Sequence, residues 1–99
     1  MRAKLRCRIS AGQFSSECAI VVQNFNGRSF SLFAPKTELT YDEAPTDENC
    51  VEGWIAVDVL NREGNLYLIR LPQTTLESGR FLTVRAEKLD RVPDRATVA

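Results

Sequence analysis

A run of strict alternation near the start of the chain limits its folding more than any other feature. Ala3, Leu5, Cys7 and Ile9 occupy every second position, and Lys4, Arg6, Arg8 and Ser10 fill the gaps. A strand turns successive side chains to opposite faces, so the pattern predicts a half-buried strand with a basic outer face. Period two dominates the later segments as well, and no internal repeat or low-complexity tract is visible.

Turn residues divide the rest into hairpins. Asn26-Gly27 predicts a type I′ turn, which needs positive φ at both central residues. Pairing Phe25 with Arg28 then sets Val21 opposite Leu32, Gln23 opposite Phe30, Ile20 opposite Phe33 and Val22 opposite Ser31. Both faces near Cys18–Val22 are apolar, which suggests cover on two sides. A second hairpin centres on Arg62-Glu63-Gly64, with Gly64 at the left-handed position of a three-residue loop. Closing Asn61 on Asn65 aligns Ile55 with Leu71, Val57 with Ile69 and Val59 with Tyr67, and makes Asp58 and Arg70 diagonal neighbours.

Pro72 ends that strand, and Pro72–Gly79 is long enough for one helical turn. A final strand runs from Arg80 to about Ala86, with Leu82, Val84 and Ala86 on one face. These segments predict a single domain over 1–92 and a frayed tail over 93–99. Six strands and almost no helix must curl to bury themselves. The expected fold is all-β: a small antiparallel barrel or roll of five to six strands. An SH3-like form is preferred over an OB-like one, because no segment offers a helix to plug an OB barrel. Trp54, Tyr67, Phe30, Phe33 and Phe81 are expected as core aromatics, and each isolated glycine as a turn residue.

The inventory narrows the chemistry. The chain has no histidine, which removes histidine-based nucleophilic triads, imidazole metal sites and the commonest near-neutral general base. Cys7, Cys18 and Cys50 form no C-x-x-C pair, and an odd count fits inert core thiols in a reducing, cytoplasmic compartment. Cys18–Val22 is the longest apolar run, far short of the ~20 residues that span a bilayer, so no membrane role is expected. Phosphate-cradling glycine loops are missing too. We therefore expect a non-enzyme with no metal and no cofactor.

Charge is balanced in sum, at thirteen basic against thirteen acidic residues, but not in position. Residues 1–40 carry six basic and two acidic side chains. The stretch Thr37–Gly53, without strand patterning, reads as a long acidic loop holding Asp42, Glu43, Asp47, Glu48 and Glu52. It lacks the spacing of a calcium loop. The loop and the basic face of the first strand are able to neutralise each other within one chain or between copies. Alternatively, the charges of that strand protect a sheet edge from aggregation. Phe14 and Phe25 fall in or beside turns, where exposure marks a contact patch. The expected function is a binding module for a protein partner or its own copy, with Arg2, Lys4, Arg6, Arg8, Phe14 and Phe25 in contact. The alternative is a single-stranded nucleic-acid binder whose basic first strand tracks phosphates.

Overall fold

The computed structural model describes residues 1–90. Six principal strands form: β1 (Arg2–Ala11), β2 (Glu17–Gln23), β3 (Ser29–Pro35), β5 (Val51–Glu63), β6 (Leu66–Arg70) and β7 (Phe81–Arg85). Two short strands, β4 (Leu39–Thr40) and β8 (Leu89–Asp90), each follow a single 3-10 turn, over Lys36–Glu38 and Ala86–Lys88. The long strands make one antiparallel sheet in the order β3-β2-β1-β5-β6-β7, curled into a half-barrel. The all-β, barrel-like expectation holds. The expected boundary at residue 92 and the tail over 93–99 lie outside the described residues.

The alternation of β1 is realised as expected: Ala3, Leu5, Cys7 and Ile9 are buried, and Lys4, Arg6 and Arg8 are exposed. β1 is central, however, so its charges do not guard a sheet edge. It pairs with β5 from Arg2↔Asp58 to Ile9↔Val51, and on its other side with β8 and then β2. Inward residues of the other strands, including Cys18, Ile20, Val22, Phe30, Leu32, Ile55, Val57, Ile69 and Val84, complete one core together with Leu71 just past β6.

Both hairpin registers differ from expectation. In the first, Val22 faces Phe30 and Ile20 faces Leu32. Only Gly27 has positive φ, at 84°, so Asn26 does not enter a type I′ turn. A three-residue loop forms instead. Gly27 N–H donates to Asn24 O (3.0 Å), and the Asn24 side-chain oxygen accepts from the N–H groups of Asn26 (3.1 Å) and Arg28 (2.9 Å). The one-residue change moves Phe33 to the outer face beside Val21, leaving that face partly uncovered.

In the second hairpin, Glu63 faces Leu66 across a two-residue turn, Gly64-Asn65. A bulge between Val59 and Asn61 then shifts the register, so that Val59 faces Ile69 and Asp58 faces Arg70 directly. Phe81, immediately before the buried Leu82, is exposed rather than core, while Trp54 and Tyr67 are partly buried.

The 71–80 connection holds no helical turn. It folds around the buried Thr75, whose hydroxyl donates to Gly79 O (2.8 Å) and accepts from Ser78 N–H (2.9 Å). Gly53 is not at a turn either. It lies within β5, where an added Cβ would meet Thr40 O and Ile9 Cδ1 at 2.6 Å, so only glycine lets β4 and β1 close on that strand.

The ladders also reveal an internal repeat that the sequence hides. Both halves run as a long strand, two further strands of a meander, a 3-10 turn and a two-residue strand. Leu39 pairs with Ile55, and Leu89 pairs with Leu5, with members of each half lying 50 positions apart. The pair Arg8↔Val21 corresponds to Asp58↔Arg70, and Ile20↔Leu32 to Ile69↔Leu82. A pseudo-two-fold relation passes through the Leu5↔Ile55 pair. Each half therefore returns its short strand to the long strand of the other.

The two edges of the sheet are met by loops of the opposite half. Phe25 N–H donates to Thr83 O (2.8 Å) on β7, and Leu76 N–H donates to Ser31 O (2.7 Å) on β3. Ser31 N–H donates to a Glu77 carboxylate oxygen (2.7 Å), which holds that carboxyl below its ordinary range. The middle of each edge is thereby closed to strand addition.

Candidate interaction surface

The pleat of β1 turns Arg2, Lys4, Arg6 and Arg8 outward, and the adjoining strands supply carboxylates to three of them. Arg2 donates to Asp58 (3.3 Å) and Glu38 (3.2 Å), while Arg70 donates to the other oxygen of Asp58 (2.9 Å). Arg70 above all, with Arg2, holds the Asp58 carboxyl below its ordinary range against the opposing cost of burial. The Asp58 bond likewise raises the Arg2 guanidinium. Arg6 donates to Glu52 (3.3 Å), and Arg8 Nε stands 3.5 Å from the other Glu52 oxygen. The Arg6 guanidinium also lies over the Trp54 ring, 5.3 Å from its centroid. Lys4 has Asp90 as its register partner on β8 but forms no ion pair among the described residues. Exposed pairs like these contribute ~0.2–1 kcal/mol each, so their main effect is to neutralise the strand.

The expected acidic loop is shorter than its sequence range. Glu52 belongs to β5, because Val51–Gly53 pairs with Cys7–Ile9. Asp42, Glu43, Asp47 and Glu48 are exposed on the 41–50 segment and form no ion pair among the described residues. Thr46 shapes this segment: its hydroxyl accepts from Glu48 and Asn49 N–H, and its own N–H donates to Asn49 O (3.0 Å). No metal-holding group of three His, Cys, Asp or Glu residues occurs among the described residues. Among the described residues, mutual neutralisation with the basic strand is thus carried by Glu52 alone of the five carboxylates.

Phe14 is 67% exposed in the β1–β2 turn, and Phe25 is 39% exposed in the β2–β3 loop. The seven-residue β2 separates these turns by roughly 20 Å, so the two rings do not form one patch. A different apolar group lies between them. Val21 and Phe33 share the outer face of the β2–β3 hairpin as diagonal neighbours, and Leu76, 70% exposed, has its backbone tied to Ser31 beside them. Phe33 and Leu76 carried no distinguishing signal, because their exposure depends on the hairpin register and on the loop crossing from the other half.

A cleft of about 260 Å³ opens where β1 leaves β8 and begins to pair with β2. Arg6, Arg8, Val21, Gln23, Glu52 and Lys88 line it. Lys88 is brought there by the β8–β1 pairing, across more than eighty residues, and nothing local to it signals the site. Cys7 and Cys18 are buried, whereas Cys50 is exposed, contrary to its expected place in the core. Burial pushes the Cys7 thiol up to about 12 and raises that of Cys18.

No protein family, curated protein or solved structure matches this chain.

Proposed function

We propose that this protein is a non-catalytic binding module that works through protein contacts, including contact with its own copy. The observation that carries this reading is that three exposed apolar residues adjoin Ser31 along the backbone: Val21 and Phe33 on the outer face of the hairpin, and Leu76 through its N–H to Ser31 O. Such a cluster on a small folded surface favours association, since its removal from water gains ~25 cal/mol per Å². The meander, 3-10 turn and returning short strand of each half support an SH3-like description. Three free cysteines support a reducing, cytoplasmic setting.

The nucleic-acid alternative draws less support. Arg2, Arg6 and Arg8 already carry carboxylate partners, and a phosphate chain following β1 would meet Glu52, Asp58 and Glu38. Strand addition at an edge is disfavoured by the loop contacts at Ser31 and Thr83.

Sedimentation equilibrium across a hundredfold concentration range tests the reading. The expected result is an average mass that rises with concentration, and a variant carrying Val21→Ser and Phe33→Ser that stays near 11 kDa. A wild-type chain that is monomeric throughout, or a variant that associates equally well, would count against this surface. Circular dichroism establishes that the variant remains folded.

A further inference from the structure

The internal repeat permits a comparison within one molecule. On the outer face of the first half, one row across the strands reads Ser31, Val21, Arg8, Glu52. Its counterpart in the second half reads Phe81, Arg70, Asp58, Arg2. The central charges are inverted: Asp58 replaces Arg8, and Arg2 replaces Glu52. The 3-10 turns follow suit, with Glu38 fifty positions before Lys88.

The second row is a closed chain of charges. Glu38 meets Arg2, Arg2 meets Asp58, and Asp58 meets Arg70, all within 3.3 Å, giving two cations for two anions. The first row is left open. Arg8 meets Glu52 on one side, but on the other, where Asp58 has Arg70, it has the apolar Val21. Lys88 makes no ion pair among the described residues, and Arg6 shares the same Glu52. Three cations, Arg6, Arg8 and Lys88, therefore line the cleft with Glu52 as the one carboxylate among its lining residues.

We infer that the cleft between Arg8, Arg6 and Lys88 receives a carboxylate side chain from an acidic peptide segment of a protein partner. Incoming acidic groups supply the anions that the first row lacks and the second row contains. The excess of positive charge is local, with Arg2 already held by Glu38 and Asp58, so one or two carboxylates fit it better than a run of phosphates. Val21 joins the cleft to the exposed apolar group around Ser31, so an acidic residue flanked by apolar ones spans both. The inference rests on the proposed protein-binding role and narrows the chemistry of the partner.

Trp54, the only tryptophan, lies under Arg6 and reports on the cleft. Hexaglutamate is titrated into the full chain at fixed ionic strength while Trp54 fluorescence is followed, with calorimetry in parallel. Saturable binding is expected, weakened at least tenfold by Arg8→Glu and by Lys88→Glu, a loss of about 1.4 kcal/mol or more. Val21→Glu, which gives Arg8 the second partner that Asp58 already has, is expected to abolish binding. Arg62→Glu, which changes net charge as much as Arg8→Glu does but at the far hairpin, is expected to leave binding unchanged. Equal weakening by Arg62→Glu, no binding at millimolar peptide, or displacement by equimolar inorganic phosphate or decathymidylate would each overturn the inference. Concentration-dependent mass with no hexaglutamate binding would remove the cleft proposal and leave the protein-binding role standing.

Discussion

Asp58 shows how one side chain organises its surroundings. It accepts from Arg70 on its own hairpin and from Arg2 on β1, linking strands that are distant in sequence. Its carboxyl lies below the ordinary value of 3.8, so the folded state favours the ionised form. The stabilisation is therefore complete above that value and is lost as pH falls through the lower folded value. Asp58→Asn is expected to cost about 0.5–1 kcal/mol at pH 7, because the group is partly solvated, and progressively less as pH falls below the ordinary carboxylate range. Urea midpoints at several pH values check this, and a difference that does not change with pH would refute the ion-pair origin. The Asp58–Arg70 pair was legible from sequence because both residues lie on one face of a hairpin. The same reading missed Arg2 and Glu38, since no local pattern reports a partner from another ladder.

At the scale of the element, the β2–β3 hairpin depends on its loop. Asn24 caps two backbone N–H groups there, and Gly27 adopts φ 84°. Asn24→Ala is expected to cost about 1–2 kcal/mol and Gly27→Ala about 1 kcal/mol, measured by denaturant midpoint. A change below about 0.3 kcal/mol in the former would mean that the strands alone set the register. The loop also explains what sequence reading recovered and what it did not. Strand β1 was legible because every second residue is apolar, and that period survives any choice of turn. The hairpin registers were not, because Asn-Gly supports more than one turn, and a bulge at Leu60 leaves no compositional mark. The repeat stayed hidden for related reasons. Leu39 and Leu89 are identical, but the bulge offsets β6 by one residue, the central charges invert, and the second loop is longer than the first. Phe33, Lys88 and Val21 became candidate contact residues only once those registers were known.

Across the whole molecule, the exchange of short strands makes the halves interdependent. β4 rests on β5 and β8 on β1, so neither half keeps its full set of ladders if the other opens. The 90 described residues are expected to unfold in one transition. The thiols provide the check. Cys50 is expected to react with a thiol reagent at once, while Cys7 and Cys18, in the core, react only through global opening, at least a thousandfold more slowly for a stability of about 5 kcal/mol. Rapid labelling of all three in native buffer would show that the halves open separately.

The same exchange has a consequence for the chain as it is being made. β1 leaves the ribosome before β5, yet one whole side of it is paired by that strand, some fifty residues later. At roughly 5–20 residues per second, the nascent first half spends several seconds with that side unpaired. During this interval Ala3, Leu5, Cys7 and Ile9 lack part of their cover, and the missing strand is available from a neighbouring ribosome on the same message. A chain whose β5 paired with another chain's β1 would form the same β1–β5 ladder as within one chain, so any such exchanged pair would separate only by unfolding.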